Sequence, residues 1–142
     1  MAHVAQLLKH KGHTIYSIEP DEPVLEAIRR MAEHEVGALL VMRGELLLGV
    51  VSERDYARKI ILLGRSSSDT PVRQIMSSPV ITVRIDQSVA ECMQLMTERR
   101  VRHLPVVQTD RVVGVLSIGD LVRSVVAEQQ QTIEQLEQYI HG

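Results

Sequence analysis

The chain has no tryptophan, no phenylalanine and only three tyrosines among 142 residues. It therefore lacks the aromatic platform on which single-stranded nucleic acid stacks. A formal net charge of −2 offers no general attraction to a phosphate backbone either. The single cysteine, Cys92, has no partner for an internal disulfide, and zinc has no second thiolate to bind. No apolar run approaches the roughly 18 residues that a spanning helix needs. The first residues, Met1 to Lys11, lack the apolar core and cleavage site of a secretion signal. A cytoplasmic protein with no membrane and no nucleic-acid partner is expected.

What the chain does contain is a repeat. Displaced by 65 positions, residues 18–58 fall on residues 83–123 without a gap. Asp21, Val24, Glu26, Met31, Glu33, Val36, Leu39 and Val41 meet Asp86, Val89, Glu91, Met96, Glu98, Val101, Leu104 and Val106. Gly49, Val50, Ser52, Asp55 and Arg58 meet Gly114, Val115, Ser117, Asp120 and Arg123. These 13 identities in 41 positions exceed the two or three that ordinary composition would give by chance. Upstream, Val4-Ala5-Gln6-Leu7-Leu8 resembles Val72-Arg73-Gln74-Ile75-Met76 at a displacement of 68. The first copy thus carries three extra residues, placed within Lys9 to His13.

Each copy reads as strand, helix, strand, strand, helix. Thr14 to Ile18 and Val80 to Val83 are rich in β-branched residues. Val24, Ala27, Ile28 and Met31 recur at helical spacing, as do Val89, Cys92, Met93 and Met96. Asp21, Asp86 or Ser88 would cap these helices, and Pro23 suits a first turn. Hairpins are expected from Ala38 to Val51 around Arg43-Gly44, and from Leu104 to Leu116 around Gln108 to Arg111. Terminal helices start at Glu53 and Ile118, the second running through three glutamines to Tyr139. Repeats are expected at 1–64 and 65–127, with a helical extension at 128–142. One half of some 60 residues would bury a marginal core, so the two are expected to stack their sheets. Paired pseudo-symmetric clefts would result.

The methionines at helical spacing and Cys92 read as core. His10 and His13, like Lys9 and Lys11, read as solvated, and no metal site is expected. Ala57, Ile60, Ile61, Leu121, Val122, Val125 and Val126, continued by Ile133, Leu136 and Ile140, supply more apolar surface than a small module covers. A homodimer is the expected consequence.

Four runs carry a family resemblance. Gly49-Val50-Val51-Ser52-Glu53-Arg54-Asp55 and Gly114-Val115-Leu116-Ser117-Ile118-Gly119-Asp120 resemble the G-h-h-S/T-x-x-D signature of CBS domains. Arg102-His103-Leu104-Pro105-Val106-Val107 and Ile75-Met76-Ser77-Ser78-Pro79-Val80 resemble other runs of that family. The resemblance covers about residues 4–126 and implies a tandem pair, or Bateman module, of α+β class with an extra C-terminal helix. It further implies a non-catalytic regulatory module for an adenosine-type ligand, AMP first, with ADP, ATP, NAD or S-adenosylmethionine as others. A dimer so altered would be read by an effector protein that the sequence does not identify. The alternative is a constitutive scaffold with vestigial clefts.

On the residues alone, Ser-x-x-Asp before a helix is a capping box, and capping could explain it entirely. The same geometry would let Ser52 or Ser117 hold phosphate and Asp55 or Asp120 accept ribose hydroxyls. By resemblance, adenine would lie against Thr14 to Tyr16 in one cleft and Val80 to Thr82 in the other. Gly37 and Ala38, or Arg102, His103 and Pro105, would line the same clefts, with Arg54 a further phosphate contact. Because the first copy has Gly37-Ala38 where the second has Arg102-His103, the second site is expected to prefer a compact anion such as AMP. No activated nucleophile is evident, so no enzyme is expected.

Overall fold

The computed structural model describes residues 2–141. The chain divides into two compact units, and both are mixed helix and strand. One unit is Ile15–Ile81; the other joins the segment up to Thr14 to everything from Thr82 onward. These units differ from a division at residue 64, which follows the repeats along the chain. In space, each repeat packs with the segment that precedes the other repeat.

The Ile15–Ile81 unit contains strand β1 (Ser17–Ile18), helix α2 (Val24–His34), strands β2 (Ala38–Arg43) and β3 (Leu46–Ser52) and helix α3 (Glu53–Tyr56). The last helix continues as a π-helical turn at Ala57–Ile61, and a 3₁₀ turn occupies Val72–Gln74. β2 pairs parallel with β1 and antiparallel with β3, with a bulge between Val41 and Met42. Ile18, Val24, Ala27, Met31, Leu39, Val41, Val51, Ile60, Val72 and Ile75 form one buried cluster. Ile60, expected on a dimer face, belongs to this core.

The second unit contains helix α1 (Val4–Lys11), helix α4 (Val89–Arg99), strands β4 (His103–Gln108) and β5 (Arg111–Ser117) and helix α5 (Ile118–His141). β4 and β5 pair antiparallel, with a bulge between Val106 and Val107 that matches the one in the first unit. Cys92, Met96 and Leu121 are buried, so Leu121 is also core rather than interface, while Met93 is half-buried. The helix expected from Ile118 through the glutamines to Tyr139 is α5, which runs without a break from Ile118 through His141.

Three backbone bonds that dock the leading segment recur in both units. Val4 N–H donates to Gln87 C=O at 2.9 Å, as Val72 N–H donates to Glu22 C=O at 2.8 Å. Ala5 and Arg73 donate to Ile85 and Pro20, and Val89 and Val24 donate to Ala2 and Thr70. Two glycines make room for this docking. A Cβ on Gly114 would stand 2.6 Å from Leu8 Cδ2, and one on Gly49 would stand 2.7 Å from Met76 Sδ. Leu8 and Met76 are the same position of the repeat.

The short leading strands shrink against expectation. Only Ser17 and Ile18 of Thr14 to Ile18 are strand, and of Val80 to Val83 only Val83 pairs, with Val106. Ser88 caps α4 through a capping box with Glu91, but Pro23 itself is the cap residue of α2. Asp21 instead pairs with Arg43 at 3.2 Å and Arg73 at 3.6 Å, and Asp86 pairs with Arg84 at 3.1 Å. No helix among the described residues is long and apolar enough to cross a membrane.

Candidate functional site

Both Ser-x-x-Asp turns sit where a hairpin's second strand passes into a helix. In the second unit, Ser117 ends β5 and Asp120 lies in the first turn of α5. Asp120 Oδ2 accepts Ser117 N–H at 2.7 Å and Ser117 Oγ–H at 3.0 Å. In return, Ser117 Oγ accepts Asp120 N–H at 3.2 Å. Ser52 and Asp55 repeat these bonds at 2.9, 3.0 and 3.2 Å. The capping box is therefore real in both copies, and it satisfies helix donors that have no partner within the helix.

The residues expected opposite each turn do reach it through the backbone. Arg102 C=O accepts Ile118 N–H at 2.9 Å, and Gly37 C=O accepts Glu53 N–H at 3.0 Å. His103 and Ser117 face one another across the β4–β5 ladder, as Ala38 and Ser52 do across β2–β3. Pro105 is buried, and its carbonyl accepts Val83 N–H at 3.0 Å. The Arg102 and Arg54 side chains are exposed.

The residues expected to hold adenine divide between the units. Thr82, exposed beside Val83, joins Ser117, Asp120, Arg102, His103 and Pro105 in the second unit, whereas Val80 belongs to the first. Conversely, Tyr16 lies with Gly37, Ala38, Ser52, Arg54 and Asp55, whereas Thr14 belongs to the second unit. Tyr16 stacks on His34, ring centroids 4.0 Å apart, and so carries an aromatic partner of its own.

Sequence reasoning missed the cations that meet the aspartates. Lys11, read as solvated, places Nζ 2.6 Å from both Asp120 Oδ2 and the Val115 carbonyl. Arg123 Nη2 donates to Asp120 Oδ1 at 2.6 Å. His13 Nδ1, also read as solvated, lies 2.6 Å from the Val113 carbonyl. In the other unit, Lys59 Nζ is 3.3 Å from Asp55 Oδ1 and donates to Ile75 C=O at 2.8 Å. Arg123 and Lys59 stand one turn beyond their aspartates, a spacing visible in the sequence. Lys11 is 109 residues from Asp120, and no local signal points to it.

The Asp120 side chain is only 9% exposed. Burial works against its ionisation, but the Lys11 ammonium and the Ser117 donors outweigh it and hold the carboxyl below its ordinary range. Burial, with Glu91 adding to it, pushes the Cys92 thiol up to about 11, which suits an inert core position. Beside Asp120, an open groove of about 980 Å³ runs between α1 and α5, lined among others by Lys9, His10, Lys11, Arg123 and Glu128.

Comparison with known proteins gives a consistent result. The family model for the CBS domain matches twice, over residues 3–62 and 72–127. A mitochondrial CBS domain-containing protein of Arabidopsis thaliana is 46% identical across 98% of this chain and 72% of its own. A solved structure of a protein with CBS domains from Burkholderia ambifaria is 50% identical, with a TM-score of 0.86 over 90% of this chain and 96% of that one. The CBS domain pair of protein MJ0100, solved with 5′-methylthioadenosine and S-adenosyl-L-methionine, shares the fold at a TM-score of 0.80 and 22% identity. It covers 90% of this chain and 98% of that one.

Proposed function

The chain belongs to the CBS-domain family, and from that membership we propose a regulatory module that binds an adenosine-type ligand without catalysing a reaction. The ligand would sit at the Ser-x-x-Asp turns, and its occupancy would shift the arrangement of a homodimer read by a partner protein. One observation carries the reading. Ser117 and Asp120 form a closed turn beside the backbone of Arg102, and Ser52 and Asp55 repeat it beside Gly37. Each turn puts a hydroxyl and a carboxylate where a strand gives way to a helix, with a carboxylate able to accept two ribose hydroxyls. That 5′-methylthioadenosine and S-adenosyl-L-methionine are held by another CBS pair of this fold supports the ligand class. AMP is the first candidate because the cations at Asp120 suit a phosphate; NAD, ADP and ATP follow.

A scaffold is the rival, and it too has an observation behind it. Capping, Lys11 and Arg123 already occupy Asp120 fully without any ligand. Thermal melts with AMP, ADP, ATP, NAD and S-adenosylmethionine at millimolar concentration decide between the two. A ligand at a hundred times its Kd adds about 2.7 kcal/mol to stability. A response to at least one member supports the sensing role; a flat response across the panel leaves the scaffold.

A further inference from the structure

The inference rests on the ligand reading above and concerns what covers Asp120 before a ligand arrives. In the Ile15–Ile81 unit, Val50 C=O of β3 accepts Ser77 N–H at 2.8 Å, so the backbone that follows the 3₁₀ turn lies along the strand. The matching carbonyl in the other unit is Val115, and its donor is the Lys11 ammonium at 2.6 Å. The difference comes from the extra residues of the first copy. A 3₁₀ turn of three residues becomes α1, eight residues long and closed by Gly12, so a side chain reaches β5 where the backbone does in the other copy. From that position Nζ also meets Asp120 Oδ2 at 2.6 Å.

The Asp120 carboxylate is thereby filled. Oδ2 accepts from Ser117 N–H, Ser117 Oγ–H and Lys11, and Oδ1 accepts from Arg123. Two ribose hydroxyls need both oxygens as acceptors, so a nucleoside has to displace the ammonium and the guanidinium. Neutral hydroxyls do not replace the charge that a carboxylate only 9% exposed then loses. We propose that Lys11 is a built-in counter-ion that stands on Asp120 in place of the ribose and makes this site select phosphorylated adenosine ligands over neutral or cationic ones. A phosphate on the incoming ligand gives the displaced cations a new anion close to the old one. Adenosine brings none, and the sulfonium of S-adenosylmethionine adds a further positive charge. The groove lined by Lys9, Lys11 and Arg123 supplies room for phosphate beside Asp120. Among the described residues Asp55 meets no cation from a distant element: its Lys59 lies one turn along the same helical segment, at 3.3 Å. The first site should discriminate less.

Calorimetric titration of AMP and adenosine tests this on the full chain carrying Asp55→Asn, so that one site reports. With Lys11 or Lys11→Arg, AMP binds more tightly than adenosine. With Lys11→Met, adenosine gains affinity and AMP loses it, and the preference for AMP falls at least about ten-fold. S-adenosylmethionine should gain along with adenosine. Lys11→Gln is a second neutral variant should Lys11→Met fail to fold. A preference unchanged within about two-fold in the neutral variants overturns the role of Lys11 while the ligand reading stands. If no compound binds any of these proteins, even with Asp120 uncovered, this inference falls; if the parent with Asp55 intact also binds none of AMP, ADP, ATP, NAD and S-adenosylmethionine, the ligand reading falls with it.

Discussion

Leu8 of α1 lies so close to Gly114 of β5 that a Cβ on the glycine would stand 2.6 Å from Leu8 Cδ2. The same contact recurs between Met76 and Gly49, with Met76 Sδ at 2.7 Å and, in addition, the Ser77 carbonyl oxygen at 2.9 Å. The glycine of the Gly-h-h-Ser-x-x-Asp run is thus a docking position, needed for close approach rather than for an unusual φ.

Alanine at either glycine should destabilise by about 1–3 kcal/mol, the ordinary cost of overpacking. Gly49→Ala should cost more than Gly114→Ala. Leu8 can rotate away from a methyl group, whereas the Ser77 carbonyl is held by its place beside β3. Urea unfolding of the two variants checks the order, and a larger loss for Gly114→Ala would show that side-chain crowding dominates.

Removing the Asp120 charge should weaken the fold at neutral pH. Asp120→Asn loses the charge-assisted bonds to Lys11 and Arg123, each of the class worth about 1.5–3 kcal/mol before solvent screening of the exposed arginine. The folded carboxyl titrates below its ordinary value of 3.8. Its contribution is therefore complete above 3.8 and is lost as pH falls through the folded value. The stability gap between parent and Asp120→Asn, measured from pH 7 downward, should hold until pH 4 is approached and then close. A gap that stays constant into strong acid would remove the ion-pair account.

Cys92 should be chemically silent while the protein is folded. A buried thiol pushed up to about 11 holds almost no thiolate at neutral pH. A disulfide reagent at pH 7.5 should react slowly with the native chain and rapidly in urea. Because the folded value lies above the ordinary 9.0, stability is complete below 9.0 and declines as pH rises toward 11. Cys92→Ala should lack that alkaline decline, although it leaves a small cavity.

The exposed apolar stripe of α5 should drive self-association. Val122, Val126, Ile133, Leu136 and Ile140 are 45 to 72% exposed and recur at helical spacing, an apolar stripe that water disfavours. Light scattering at tens of micromolar should give a mass above 16.0 kDa. Ile133→Glu with Leu136→Glu should lower the mass toward that of the single chain. A parent protein that is monomeric at this concentration removes the dimer from the proposed mechanism.

The repeat, its helix-strand-strand-helix order and both capping boxes were legible in the sequence, whereas the expected leading strand is two residues in the first copy and a single bridge in the second. Each depends on local chemistry: apolar period, turn residues, and a serine three residues before an acid. Ser117, Asp120, Ser52 and Asp55 could be singled out for that reason, and Arg102 and Gly37 could be placed beside them only through the family resemblance. Tertiary structure decided what no window of sequence contains. The segment leading each repeat packs against the other repeat's glycine, so the compact units cross the repeat boundary. Ile60 and Leu121 are drawn into cores, while the C-terminal stripe stays outside. Lys11 reads as a solvated lysine until α1 docks, because a charge pair 109 residues apart exists only once β5 and α1 are brought together. Local patterns set which groups the chain carries; long-range packing set which of them face Asp120, since charge and burial act through space and not along the chain.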